Sequence, residues 1–419
     1  MLRSRRHVST SVSTENYFSR LPNEVLERIV AMTRTQEYEW MYIPTLFYQN
    51  SELAQLSLVD RRLRIIAQRQ LYRHVYFDHG SSHGIDGHRF DGTKPRSIRR
   101  VLSMFCRTLR SQQYLASAAR TISYGTSHRS RRSETILLAQ IVPLCTNLTG
   151  LEIRGWIDSE LFLPILRQSC PRLTRFKITC KTLVDEGAED PESLGGVSVF
   201  LELLQCWKDI QEVVVDDNVF EPEERNETYP TVPNSCPVLR SLTFKARWIH
   251  DKEVEALSII APSIRYLHLD NTDCSPLSGD GLAVALEHWS QSLVSLTISS
   301  MDGLAGSTCP SPTFNDILAS MPRLRDLKLD AGYLSNKSLA HGFSNLIGYD
   351  VPWPEVSSLV TVLQNKDSLP SLCKITAHPF PNPYLYPVQG EDKEEYDSSL
   401  ALLQECCHQR KINYVQTVF

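Results

Sequence analysis

Apolar residues recur along most of the chain at positions i, i+3 and i+5, as in Leu148/Leu151/Ile153. The same spacing returns at Leu173/Phe176/Ile178, Ile210/Val213/Val215, Leu239/Leu242/Phe244 and Ile264/Leu267/Leu269. It continues at Leu293/Leu296/Ile298, Leu324/Leu327/Leu329 and Leu372/Ile375/Ala377, with a degenerate first copy at Ala119/Ile122/Tyr124. The last two members flank one polar position, the alternation of a half-buried strand. Marked by their middle members, the copies fall at 122, 151, 176, 213, 242, 267, 296, 327 and 375. Most steps are 25 to 31 residues; the longer ones, 37 and 48, coincide with inserted segments near 185–192 and 331–355.

Between the predicted strands lie helical patterns at Leu161–Leu166, Val199–Leu204, Val254–Ile260, Leu282–Trp289, Phe314–Ala319 and Val356–Leu363. Several units are introduced by X-Pro: Cys170-Pro171, Cys236-Pro237, Ala261-Pro262, Met321-Pro322 and Leu369-Pro370. Proline there ends the preceding helix and turns the chain towards the strand. A fixed period of alternating strand and helix predicts a curved stack with strands on its inner wall. Cys145, Cys170 and Cys236 then read as small buried residues at helix ends.

The first part of the chain follows another rule. Val25, Leu26, Ile29 and Val30 lie at helical spacing after Pro22, a residue suited to a helix start. An aromatic-rich stretch at 35–50 interrupts the pattern. A second stripe, Leu53, Leu56 and Val59, follows Ser51, and Asp60 is placed to cap a third helix carrying Leu63, Ile66, Ala67 and Leu71. His74–Phe77 reads as a strand. The predicted fold class is α/β: a small three-helix unit, then an irregular solenoid of about eight or nine strand–helix units. The expected domains are a disordered leader at 1–16, the helical unit at 17–78, a basic connector at 79–114 and the solenoid at 115–419.

Composition changes this picture little. The 419 residues carry 44 Lys and Arg against 48 Asp and Glu, a net charge of −4, so bulk charge selects neither nucleic acid nor membrane. No apolar run is long enough to span a bilayer. Eleven cysteines, an odd number without C-x-x-C pairs, point to reduced thiols and an intracellular address, cytoplasm or nucleus. Three N-x-[ST] matches, at Asn147, Asn226 and Asn336, therefore have no expected glycosylation role.

Charge is nonetheless uneven. Between Arg89 and Ser133 eleven Lys and Arg face one acid, Asp91. Phosphates are one possible counterpart of such a run, and the solvated face of a helix near Ile98–Leu109 or an acidic protein is the other. Gly80-Ser81-Ser82-His83-Gly84 fits G-x-S-x-G, but a nucleophile elbow needs a helix immediately after it, and a glycine-rich loop follows instead. Cys406-Cys407-His408 is too tight for a tetrahedral zinc site. It sits on an amphipathic final helix with Leu402 and Leu403, before a last strand near Ile412–Val418.

Residues 18–77 resemble an F-box. The resemblance is carried by Leu21-Pro22-Asn23-Glu24-Val25-Leu26-Glu27-Arg28-Ile29-Val30, by Leu53–Leu63, and by Ala67-Gln68-Arg69-Gln70-Leu71-Tyr72-Arg73-His74-Val75-Tyr76-Phe77. The downstream array is similar to the leucine-rich-repeat domain that fungal F-box proteins often carry. The chain departs from the pattern in its 35–50 insertion, in lacking the usual Cys and Trp near the third helix, and in having no regular Asn or Cys ladder.

The resemblance implies a non-enzymatic substrate receptor of a cullin–RING, SCF-type ubiquitin ligase, without cofactor, metal or catalytic residue. The F-box would dock on a Skp-family adaptor through Leu21, Pro22, Val25, Leu26, Ile29, Leu56, Val59, Leu63 and Ile66, some facing the adaptor and some the internal core. A target protein would lie on the strand positions that point away from the core: Glu152, Arg154, Lys177, Thr179, Asp216, Lys245, His268, Asp270, Lys328 and Asp330. The alternatives are a nucleic-acid-associated protein using the basic run, and a repeat scaffold that never joins a ligase.

Overall fold

The structure, a computed structural model, describes residues 21–32, 51–78, 98–125, 132–155, 158–169, 172–179, 195–216, 229, 231–246, 249–271, 277–300, 311–329, 334, 339–340, 343–351, 356–377 and 390–416. The leader, the 35–50 stretch, the Gly80–Gly84 motif, Cys170-Pro171, the 185–192 insertion and Asp330 lie outside these residues.

Three helices open the fold: α1 (Asn23–Met32), α2 (Ser51–Val59) and α3 (Arg61–Arg73). The Pro22 carbonyl accepts the amides of Val25 and Leu26, both at 3.1 Å, so Pro22 stands just before the helix. Asp60 caps α3, accepting from the amides of Arg62 at 2.7 Å and Leu63 at 3.3 Å. These bonds, that of Arg62 foremost, hold its carboxyl below the usual aspartate range. Arg62 also donates to the Leu21 carbonyl (3.0 Å) and to Asn23 Oδ1 (2.6 Å), tying the start of α1 to α3. Leu26, Val30, Leu53, Leu63, Ile66 and Ala67 fill a small core of their own.

Strand β1 (His74–Asp78) follows α3 with no residue between them. Among the described residues it is the first of twelve parallel strands arranged in sequence order. The others are β2 (Thr121–Gly125), β3 (Gly150–Arg154), β4 (Arg175–Thr179), β5 (Glu212–Asp216), β6 (Ser241–Ala246), β7 (Tyr266–Asn271) and β8 (Ser295–Ser300). They end with β9 (Asp326–Leu329), β10 (Gly348–Val351), β11 (Lys374–Ala377) and β12 (Asn413–Gln416).

All nine repeat marks fall in strands, and consecutive marks are register partners from Ile122 through Leu327. Three strands join them: β1 from the helical unit, β12 at the end, and β10, which the 48-residue step concealed. Tyr349 sits between Leu327 and Ile375 in register, so that step is two repeats. The sheet thus exceeds the expected eight or nine units.

The helical side comprises α4 (Ile98–Ser111), α5 (Gln113–Ala116), α6 (Arg132–Leu144), α7 (Ser159–Ser169), α8 (Val197–Cys206), α9 (Asp251–Ile260), α10 (Gly279–Trp289), α11 (Pro312–Ser320), α12 (Val356–Gln364) and α13 (Gly390–Arg410). Helix α4 of the expected connector packs on α6 and contributes Ile98, Leu102, Cys106 and Leu109 to the main core. Ala261 and Met321, each followed by proline, are the C-caps of α9 and α11, as the X-Pro pattern predicts. Packed helices need about 8–10 Å each and strands only about 4.8 Å, so the stack bends with the strands inside.

Polar contacts bind one repeat to the next. The buried indoles of Trp207 and Trp289 donate to the carbonyls of Leu166 (3.0 Å) and Ala261 (2.8 Å) in the preceding unit. At the helix starts, Asp251 accepts from the amide and hydroxyl of Ser278, the N-cap of α10. Asp280 in turn accepts at 2.5 Å from Ser311, the N-cap of α11. A Cβ on Gly281 would stand 2.2 Å from Asp251 Cγ, so this relay requires glycine there.

Leu296 is fully buried, whereas Thr297 on the same strand faces the other way. Leu296→Ala is expected to destabilise the array by about 2–5 kcal/mol and Thr297→Ala by under about 1 kcal/mol. Denaturant titration by circular dichroism checks this; equal losses would refute the assigned faces.

Candidate protein-interaction surfaces

The helical unit divides its apolar residues between inside and outside. Of the nine adaptor candidates, Leu26, Leu63 and Ile66 are sealed in the small core. These are the members of the set that face the internal core, and their surface holds three short helices together. Leu21 and Leu56 are partly buried against this core, and Ile29 is half-buried. Pro22, Val25 and Val59 are exposed, Val59 at 69 %.

Three further exposed side chains escaped the sequence reading: Leu58 at 78 %, Met32 and Ile65. Leu58 and Val59 end α2, and Arg64 Nε donates to the Ser57 carbonyl at 3.1 Å, fixing the corner into α3. Only their departure from the i, i+3, i+4 stripe marked Leu58 and Ile65 in the sequence.

The sheet face opposite the helices is polar. One row of register partners runs Tyr76, Ser123, Glu152, Lys177, Val214, Thr243, His268, Thr297, Lys328, Asp350, Thr376 and Val415. Glu152, Lys177, His268 and Lys328 of the expected target-binding set therefore share one line across the wall. Glu152 and Lys328 lie six strands apart, roughly 30 Å. In the next row Arg154, Thr179 and Asp216 are consecutive, as are Lys245 and Asp270 further on.

Charges on this wall are largely matched between neighbours. Glu152 Oε1 meets Arg154 Nε at 3.0 Å and Lys177 Nζ at 3.5 Å, while Ser123 Oγ donates to Oε2 at 3.1 Å. Arg175 pairs with Glu212 at 2.7 Å, and Lys328 with Asp350 at 3.8 Å. Between these pairs, the row of Arg175 and Glu212 continues through Ser241, Tyr266 and Ser295 on β6–β8, and the row of Lys177 through Thr243, His268 and Thr297. Tyr266 is 51 % exposed. The sequence reading passed over it, although alternation around Leu267 places it on the wall.

Burial pushes Glu152 up, yet the Arg154 hydrogen bond and charge, Lys177 and Ser123 outweigh it, and the carboxyl lies below its ordinary 4.5. The cluster therefore stays ionised and fixed at neutral pH.

Among the described residues no group of three or more His, Cys, Asp and Glu is placed to hold a metal, and no helix is long and apolar enough to cross a membrane. Burial pushes the Cys236 thiol up to about 12 and Cys407 to about 11, so neither is a nucleophile near neutrality.

Since Glu152 has a lower value folded than unfolded, its stabilisation is complete above about pH 4.5 and is lost as pH falls through the folded value. Glu152→Gln is expected to cost about 1 kcal/mol or less at neutral pH, because its partners are solvent-exposed. The difference from wild type should vanish in acid. A gap in denaturation midpoint that persists there would show that the cluster acts by shape instead.

No protein-family model matches the chain. No curated protein matches its sequence. Among solved structures it is similar to one described as the crystal structure of the Rad7 and Elc1 complex in yeast, at 13% identity and a TM-score of 0.37, with 86% of this chain and 89% of that chain covered.

Proposed function

We propose that the protein is a non-enzymatic receptor that docks a Skp-family adaptor on its N-terminal helices and holds a target protein on its strand wall. Within an SCF-type ubiquitin ligase it would raise the target's effective concentration beside the transferring enzyme. The observation that carries this reading is a helical unit with a complete core of its own that still presents Leu58, Val59, Val25, Met32 and Ile65 to solvent.

Exposed single apolar residues are ordinary, but five on three short helices are a large share of such a small unit. Fully burying one such side chain contributes about 1.5–3 kcal/mol, so two or three central anchors supply about 3–9 kcal/mol against an association cost of about 4–15 kcal/mol, and the contacts around them add the rest. The adaptor-facing set becomes Leu21, Pro22, Val25, Ile29, Leu56 and Val59, joined by Leu58. Target contacts centre on the wall, where Tyr266, of a residue type enriched in interface hot spots, stands exposed among small hydroxyl residues.

Co-purification with a Skp-family adaptor tests the reading. Wild-type protein should retain adaptor and cullin together. A Leu58→Glu/Val59→Ala double variant should lose adaptor affinity by about tenfold or more while keeping its circular dichroism spectrum. Wild-type protein that does not bind, or a double variant that binds equally well, overturns adaptor docking. Adaptor recovered without cullin would favour the scaffold reading instead.

A further inference from the structure

The outer face of α4 answers to none of the roles described so far. Ile98, Leu102, Cys106 and Leu109 point into the core, and Arg99, Arg100, Ser103, Met104 and Arg107 line a shallow open depression on the outside. Some arginines elsewhere on the fold have carboxylates beside them, Arg132 with Asp158, Arg154 with Glu152, Arg167 with Glu202 and Arg175 with Glu212, while others, such as Arg64, Arg120 and Arg410, donate to carbonyls. Among the described residues, Arg99, Arg100 and Arg107 have neither an ion pair nor a hydrogen bond.

This arrangement is unfavourable for the isolated chain. Helix α4 has no acid in its first turn, yet Arg99 and Arg100 stand there, against the positive end of the helix dipole. Among the described side chains of the neighbouring helices, none compensates. The acid of α6, Glu134, is buried and accepts the Tyr124 hydroxyl at 2.9 Å, α5 carries none, and Arg110 on α4 itself donates to Gln140. The outcome is a field of one sign on a face that is otherwise well ordered.

We infer that the α4 face is a docking site for an acidic, partly apolar segment of a partner protein. Guanidinium forks match carboxylates two bonds at a time. Met104, 55 % exposed in the midst of the arginines, supplies a flexible apolar contact that a phosphate track does not use. No aromatic side chain lines the depression for base stacking, which disfavours single-stranded nucleic acid. Phe105, one position on, stacks on Tyr72 of α3 with centroids 5.4 Å apart, so the face is held rigidly beside the helical unit.

The test uses the full chain and a fluorescein-labelled peptide of Glu and Asp with one central Leu, read by anisotropy. Its comparators are the same peptide with Gln for Glu and Asn for Asp, and a single-stranded oligonucleotide of equal charge. The acidic peptide should bind more tightly than either. Arg100→Glu/Arg107→Glu should weaken it by about tenfold or more, and Met104→Gln by about threefold, with adaptor binding and thermal melting unchanged. Tighter binding of the oligonucleotide would make this a phosphate site and overturn the inference. Equal peptide affinity in the charge-reversed variant would overturn it too. Adaptor docking is scored separately on Leu58 and Val59, so failure of one reading is distinguishable from failure of the other.

Discussion

A parallel sheet covered by helices on one face only is the constraint from which the rest of this molecule follows. Parallel strands are ordinarily buried on both sides, since each crossover adds a helix. Here the described helices lie on the side of the buried row from Ile122 to Ile375, which is the seam where strands meet helices. The opposite face has to be made compatible with water. It is, through hydroxyls and through carboxylates and cations matched between adjacent strands.

That requirement also shapes what the wall can recognise. Where charges already satisfy one another, a ligand gains little by replacing a partner that is in place, and Glu152 is held by three neighbours. Between the matched pairs the surface is uncharged hydroxyls around the exposed Tyr266. The contrast with α4 is instructive, because there, among the described residues, Arg99, Arg100 and Arg107 have no carboxylate beside them.

The repeats were legible because each strand needs two inward apolar residues separated by one outward one, and the turn before it needs a third. That spacing survives changes of residue type. Strand β10 follows the pattern with Leu346 and Tyr349 buried, but Gly348, Asp350 and an aromatic middle member made it read as loop. Missing it hid the Lys328–Asp350 pair, since the two residues become neighbours only through the ladder. Helix α6 was masked by Pro143 in its last turn and by Glu134, whose burial makes sense only once Tyr124 lies opposite. On the helical unit the limit was different. Helix α2 carries apolar residues around its circumference, and only packing on α3 decides that Leu53 turns inward while Leu58 and Val59 turn out.

The junction at Arg73–His74 has a mechanical meaning. With no spacer between the third helix and the opening strand, and with Tyr114 bonded across to Gln68 at 2.7 Å, the front module is a bracket bolted to the horseshoe. Whatever sits on the bracket is presented to the inner curve at one set distance and angle. Reach and aim are then inherited from the backbone itself, and inserting a few flexible residues at this joint would change geometry without touching either contact surface.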